Sequence, residues 1–351
     1  MQLKKRVSAL ALAVVLALSA TACSGTGSSS TGSSAAESAS SAASSAASTA
    51  ATTEKTTIKV GTLKGPTGLG MLKMMQDADA KTTTNDYKFV LDTAPTAAVA
   101  KLTSGEVDMA GLPTNLAASL YKKTNGKMQL LEINTLGVLS IVTNGETITS
   151  IKDLKGKKIV SSGKGSVPEY AFNYILKQNG LNPEKDVQVE YASEHAAAMT
   201  KLVSGQVKIA VLPEPFVTQT LAKCKTAKIA LNMTDEWSKV VKDGSVLTMG
   251  CMVVRKDFAE KHKDAVNQFL ADYKASSEYA NQNAEATGKL AEKYLGMPAA
   301  VAAKAIPNCS LTFMDGDEMK AKVQPFFKIM YQENPQSIGG KLPDDGIYYQ
   351  K

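Results

Sequence analysis

A two-lobed α/β protein with a parallel sheet in each lobe is the fold this sequence predicts, because its central segment occurs twice. The stretch Ala97–Pro113, AAVAKLTSGEVDMAGLP, returns one hundred positions later as AAMTKLVSGQVKIAVLP, Ala197–Pro213. Each copy reads as a helix end, a Ser-Gly stop and a short buried strand closed by proline. The register extends upstream through Val60/Val160, Lys64/Lys164 and Gly65/Gly165. Two strand-helix-strand-helix-strand units follow, each building a parallel sheet whose strand ends turn toward a common crevice.

At 351 residues, 44% hydrophobic and 21% charged, the chain has the composition of a globular protein with room for two cores. Its formal charge is +7, but Lys4, Lys5 and Arg6 fall in a segment expected to be removed, and without those three it is +4. That charge is mild and dispersed, with no basic run interleaved with aromatics, so no nucleic acid partner is expected. Residues 1–22 read as a signal peptide: a charged start, an apolar run from Val7 to Leu18 shorter than the ~20 residues of a spanning helix, then Ala20-Thr21-Ala22. Cys23, followed by Ser24 and Gly25, resembles the lipobox cysteine of bacterial lipoproteins, which implies lipidation at Cys23 and a membrane lipid anchor. Ordinary signal-peptidase cleavage and free secretion is the alternative. Residues 23–56 are nearly all Ser, Ala, Thr and Gly and cannot bury enough surface to offset chain entropy. As a flexible tether, ~34 such residues reach roughly 30 Å.

In the folded body, strands are expected at Ile58–Thr62, Tyr87–Asp92, Asp108–Leu112, Met128–Asn134 and Gly137–Asn144, with helices at Met71–Ala80, Pro95–Thr103 and Thr114–Lys123 between them. The second copy follows with strands Lys158–Ser161, Val187–Tyr191 and Lys208–Leu212, the helix Pro168–Asn179, and a helix capped by Ser193. The chain returns through Ile229–Asn232 and Ser245–Val254, and everything from Lys256 onward reads as helix, with long runs at Phe258–Asn283 and Glu318–Tyr331, before a Gly/Pro-containing tail Ile338–Lys351. The lobes divide as 57–140 with 250–351, and 141–249.

The motifs Lys101-Leu102-Thr103-Ser104-Gly105-Glu106-Val107-Asp108, Ser150-Ile151-Lys152-Asp153-Leu154-Lys155-Gly156-Lys157-Lys158, Leu212-Pro213-Glu214-Pro215 and Val254-Arg255-Lys256-Asp257-Phe258 come in this order behind a lipoprotein leader. Together they resemble substrate-binding proteins of ABC importers, in the nitrate/sulfonate/taurine and thiamine-precursor branch, over about Thr57 to Pro335. The resemblance implies a periplasmic-binding-protein-like fold (type II), two pseudo-repeated lobes joined by two crossing strands, here placed at Val138–Asn144 and Val246–Val254. It also implies a monomer that captures a small polar solute and passes it to the transmembrane subunits of an ABC permease, anchored outside the cytoplasm. An enzyme on the same fold, of the thiamine-pyrimidine or menaquinone-precursor type, is the alternative. The extracytoplasmic location opposes it.

Ligands of open parallel sheets sit beyond the carboxyl ends of the strands. The candidate ligand-binding residues are therefore Lys64, Thr67, Thr93 and Asn115 in the first lobe, and Ser162, Lys164, Ser166, Glu194 and Glu214 in the second. Asn115 and Glu214 stand out because each follows a buried strand closely. The threonines and serines also suit helix caps, the lysines a solvated surface, and Glu214 a first-turn acid favoured by the helix dipole. The candidate loops carry no arginine, which argues against a strongly anionic solute held in a bidentate clamp. His195 and His262 read as surface histidines, Trp237 as packing, and no catalytic group, metal or cofactor is expected. Cys251 and Cys309 are a disulfide candidate, with buried free thiols, Cys224 among them, as the alternative.

Overall fold

The computed structural model describes residues 55–351, so the signal peptide, Cys23 and nearly all of the tether lie outside the described residues. The chain runs β1 (Thr57–Leu63), α1 (Pro66–Leu69), α2 (Leu72–Asp79), β2 (Asp86–Asp92), α3 (Pro95–Ser104), β3 (Met109–Pro113), α4 (Thr114–Lys123) and β4 (Met128–Leu136). It then enters the second lobe through β5 (Leu139–Asn144), β6 (Lys158–Ser162), α5 (Val167–Gln178), β7 (Gln188–Ala192), α6 (His195–Val203), β8 (Ile209–Pro213), α7 (Phe216–Lys223), β9 (Ala227–Asn232) and α8 (Met233–Val240). The return is β10 (Thr248–Arg255), followed by α9 (Lys256–Lys261), α10 (Lys263–Gln282), α11 (Ala284–Leu295), α12 (Ala299–Ala305), β11 (Leu311–Met314) and α13 (Gly316–Glu333).

Among the described residues the strands form two sheets, ordered β11-β4-β10-β3-β1-β2 and β7-β6-β8-β5-β9. The core orders β2-β1-β3 and β7-β6-β8 are parallel and equivalent. Each is extended by an antiparallel strand that the chain supplies after visiting the other lobe or before leaving for it: β10 beside β3, and β5 beside β8.

The repeat holds in atomic detail. Lys101 on α3 pairs with Asp92 at the end of β2 at 2.7 Å, and Lys201 on α6 pairs with Glu190 on β7. Ser104 donates to the Lys101 carbonyl at 3.1 Å, and Ser204 to that of Lys201 at 3.2 Å. Gly105 and Gly205 then take φ of 79° and 77°, the left-handed conformation that ends a helix at low cost only in glycine. Val107 and Val207 each return an N–H to the lysine carbonyl at 3.3 Å.

Three expectations are corrected. Val138–Asn144 and Val246–Val254 are not the passages between lobes, since β5 belongs wholly to one sheet and β10 to the other; the chain crosses at Gly137 and Val138 and again over residues 241–247. The C-terminal part is not all helix, because the four-residue strand β11 adds itself to β4. It is too short to show a period. Nor does Ser193 cap a helix: Glu194 holds the N-cap position of α6, without a side-chain bond.

The C-terminal helix α13 touches both lobes. Its Phe326 packs on Trp237 of α8 with ring centroids 6.0 Å apart, and Glu333 pairs with Lys177 of α5 at 2.7 Å. Trp237 is a core residue as expected, 1% exposed and stacked 5.1 Å from Tyr174, its indole N–H donating to the Ser245 carbonyl at 3.4 Å.

The disulfide expectation is overturned, since Cys251 and Cys309 are both free and buried, in separate apolar clusters. The Cys251 thiol instead donates to the Leu112 carbonyl at 3.3 Å. Burial pushes both thiols up, whereas Cys224, half-buried beside Thr226, is lowered. Among the cysteines of the described residues, thiol titration should therefore find only Cys224 reacting promptly in the native fold, with Cys251 and Cys309 joining it on denaturation without reductant. Loss of those two signals until reductant is added would mean that they pair.

One carboxyl is enclosed in the first lobe. Glu132 on β4 is fully buried, with Oε1 accepting from Asn134 Nδ2 at 3.3 Å and Oε2 unpartnered. Burial, and to a smaller degree Asp315, raises its pKa well above the ordinary carboxylate range. The unfolded chain releases this proton near pH ~4.3 and the folded chain keeps it to higher pH, so over that window the native state binds more protons and stability falls as pH rises. Glu132→Gln, which removes the titration, should gain stability relative to the parent as pH is raised from 4 to 8 in urea unfolding. A difference independent of pH would show that Glu132 is ionised in the fold.

Candidate functional site

The register of the strands that flank the two crossings decides which ends of the sheets face each other. β4 leaves the first sheet at Leu136, and Gly250, paired with Thr135 on β4, lies beside Pro113 at the carboxyl end of β3. β5 enters the second sheet at Leu139, opposite Pro213 at the carboxyl end of β8. The carboxyl ends of both parallel sets therefore meet the passage Gly137-Val138, one from each side. The loops after β1, β2 and β3 oppose those after β6, β7 and β8.

In the first lobe Lys64 and Thr93 are exposed on the rim of this crevice. Thr67 is instead turned into the lobe: a Cβ built on Gly250 would lie 2.5 Å from its methyl and 2.6 Å from Asn134 Oδ1, so the bare glycine is what admits both side chains. Asn115 is fully buried, its Nδ2 donating to the Ser337 carbonyl at 3.1 Å while Oδ1 has no partner. It ties α4 to the 3-10 turn Pro335–Ile338.

In the second lobe Lys164 projects from an exposed turn between Gly163 and Gly165, at φ 76° and 77°, and Ser166 closes that turn by donating to the Gly163 carbonyl at 2.7 Å. Glu194 is exposed. Glu214 is 4% exposed; its amide donates to the Val138 carbonyl at 3.0 Å, and its Oε2 accepts from the Thr218 amide at 3.1 Å. Burial raises the Glu214 carboxyl against that bond, and the carboxyl in turn adds to the burial that raises Cys309. Glu214 thus sits at the passage between lobes, bonded through its amide to Val138.

The candidates that the fold brings into contact are Ser162 and the neighbour of Glu194, His195. Ser162, the last residue of β6, is 2% exposed and its Oγ lies 2.5 Å from His195 Nδ1 in the first turn of α6. Phe216 at the start of α7 packs on the imidazole, ring centroids 5.5 Å apart. Burial lowers the His195 pKa, and Glu194 opposes this more weakly. The expectation of a surface histidine is therefore corrected. His195 follows β7 closely, the same signal that selected Asn115 and Glu214, but its partner stands 33 positions away in the chain. His262 is exposed as expected.

Two cavities, of about 620 and 340 Å³, lie on the outer face of the first lobe around α2, α10 and Tyr279, away from the strand ends. Volume alone therefore does not locate the site; the opposed carboxyl ends do. Among the described residues no group of His, Cys, Asp and Glu is placed to hold a metal ion, and no helix is long and apolar enough to cross a membrane.

Comparison with solved structures shows the same fold. An ABC transporter protein from Parabacteroides distasonis superposes with a TM-score of 0.71 at 24% identity, covering 85% of this chain and 100% of its own. The periplasmic aliphatic sulphonate binding protein SsuA from Escherichia coli gives 0.68 at 19%, covering 85% and 93%. The periplasmic nitrate-binding protein NrtA from Synechocystis gives 0.56 at 17%, covering 76% and 75%. No curated protein matches the sequence. Residues 77–297 match the family model described as ABC transporter, phosphonate, periplasmic substrate-binding protein. With most of the folded body inside that match and the type II fold around it, the chain belongs to this family and is the solute-binding component of an ABC importer.

Proposed function

We propose that the protein captures a small oxyanion between its lobes and delivers it to the permease subunits as a monomer, held to the outer face of the cell membrane by a lipid on Cys23 and the tether 23–56. The observation that carries this reading is the opposition of two equivalent sets of strand ends across Gly137-Val138. A solute touching both sets favours the closed state by its differential affinity, whereas one touching a single lobe leaves the closure equilibrium unchanged. The oxyanion class is supported by the phosphonate description of the family and by the sulfonate and nitrate named for two proteins of the same fold. It departs from the expectation drawn from missing arginines. Both arginines of the sequence are indeed elsewhere: Arg6 lies in the leader, and Arg255 is engaged with Asp257 at 2.8 Å.

In this reading Ser162 and His195 form the floor on the second lobe. Thr93 and Lys64 face them from the first lobe, with Lys164, Ser166 and Glu194 at the rim. Asn115 and Glu214 act mainly through structure, fixing α4 and the passage between lobes.

Native mass spectrometry of the protein as purified should show a co-purified small solute, and saturating solute should reduce the radius of gyration in X-ray scattering. Lys64→Ala and Lys164→Ala, both at exposed positions, should each weaken an anionic solute roughly 2- to 10-fold, on the order of one net hydrogen bond, with unchanged melting temperature. Asn115→Ala should instead lower stability by about 1–3 kcal/mol, because it abandons the buried Ser337 carbonyl. Solute binding without any change in scattering would overturn the clamp.

A further inference from the structure

The crevice poses an electrostatic problem. An oxyanion brought between two lobes loses its hydration, and burying it without a compensating charge is expensive. Arginine is not available, and Lys64 and Lys164 sit on exposed turns where solvent screens them. At the strand ends the half-buried His195 can also become cationic, and the fold holds it in a particular way: its ring bonds the buried Ser162 and packs on Phe216.

From this geometry we infer that solute capture is proton-linked, with the Ser162–His195 pair taking up one proton from solvent as the oxyanion enters. This rests on the solute-binding reading of the crevice. The ring lies against Phe216, and burial disfavours its protonated form, so the 2.5 Å contact can join a hydroxyl to a neutral imidazole. A neutral ring has one N–H, and the hydroxyl can donate its proton to an unprotonated Nδ1. Once the ring gains a second proton, Nδ1–H can only donate, and Ser162 Oγ must accept. The serine hydroxyl proton is then free to be donated to the incoming anion. One proton thus supplies both a positive charge and a correctly directed donor, and no bond other than hydrogen bonds is made or broken.

The other charged groups around α6 do not replace this role. Glu194, beside His195 in the chain, favours the imidazolium but is exposed and so is screened. On β7, Glu190 is engaged by Lys201 and Tyr191 is neutral, its pKa raised by burial. After β8, Glu214 accepts the Thr218 amide and its own pKa is raised by burial. On α7 the contact is the Phe216 ring. The sign of the linkage follows. The anion binds the protonated pair, so affinity is highest at low pH and falls by up to about tenfold per unit above the pKa of the empty protein, flattening above that of the complex.

The sequence contains only two histidines, so their Cε1–H resonances can be followed directly by NMR in the whole protein, with His262 as the exposed reference. The probes are methylphosphonate, ethanesulfonate and nitrate. His195 should titrate below the ordinary imidazole range before probe is added, and the probe that binds should move its midpoint up by at least one pH unit. Calorimetry at pH 7.5 in buffers of different ionisation enthalpy should then register proton uptake, and His195→Gln should abolish the uptake while leaving weaker, pH-independent binding. Tight anion binding without proton uptake, or a His195 midpoint unmoved by a bound probe, would overturn the inference. A co-purified neutral solute, with none of the three anions binding, would also overturn it while leaving the solute-binding reading intact. A protein that carries no solute and shows no change in scattering with any probe would overturn both.

Discussion

The structure depends on an exchange of antiparallel strands between two copies of one unit. Each copy contributes three parallel strands, and each sheet is completed on the β3 or β8 side by the strand that follows a crossing, β10 in one lobe and β5 in the other. Parallel strands need their carboxyl ends covered or used, and an antiparallel neighbour must begin where its parallel partner ends. Because β5 starts two residues after β4 finishes, the end of one sheet becomes the start of the other. The crevice is therefore a consequence of the connectivity.

That arrangement concentrates polar side chains near the passage and encloses several of them. Glu214 reaches the Thr218 amide beside Val138, Ser310 donates to the Gly137 carbonyl at 2.7 Å, and Thr234 packs so closely on Gly137 that a Cβ there would meet its hydroxyl at 2.0 Å. The glycine at the crossing is required by this crowding. Further inside the first lobe, Asn134 and Thr67 share the space left open by Gly250, and Asn134 donates to Glu132. Buried polar groups of this kind lower stability when any partner is removed, so they make the geometry of the strand ends specific at some energetic cost.

A third connection limits how the lobes can move. Helix α13 is continuous with the first lobe through β11, yet Phe326 and Glu333 rest on α8 and α5 of the second. Rotation about Gly137 and residues 241–247 must either pivot near this contact or slide the aromatic pair Trp237–Phe326, and a well-packed aromatic contact resists sliding more than a solvated loop does. The closure expected of a type II binding protein is thereby confined to a hinge passing close to α13.

The sequence alone determined the doubling of the unit, the parallel strands and the helices between them, because these are written in local signals: an ungapped repeat, a Ser-Gly stop ending each helix, proline closing each buried strand. Those signals are short-range, and they were legible down to Lys101 and Lys201, whose equivalence in sequence became equivalent ion pairs to the preceding strand. The position of the crevice also followed, since strand ends are set by the same pattern. What only the tertiary structure decided is which side chains the crevice keeps. Asn115 and Glu214 have the right positions in the chain, but both are buried, bonded to Ser337 and to Val138 and Thr218. His195 reads as a surface histidine, yet Ser162 and Phe216, distant in sequence, contact its ring and leave it half-buried. Cys251 and Cys309 share a segment of the chain and are divided by the sheet that lies between their clusters. Burial and partnership depend on which elements pack together, and no periodicity within one element carries that information.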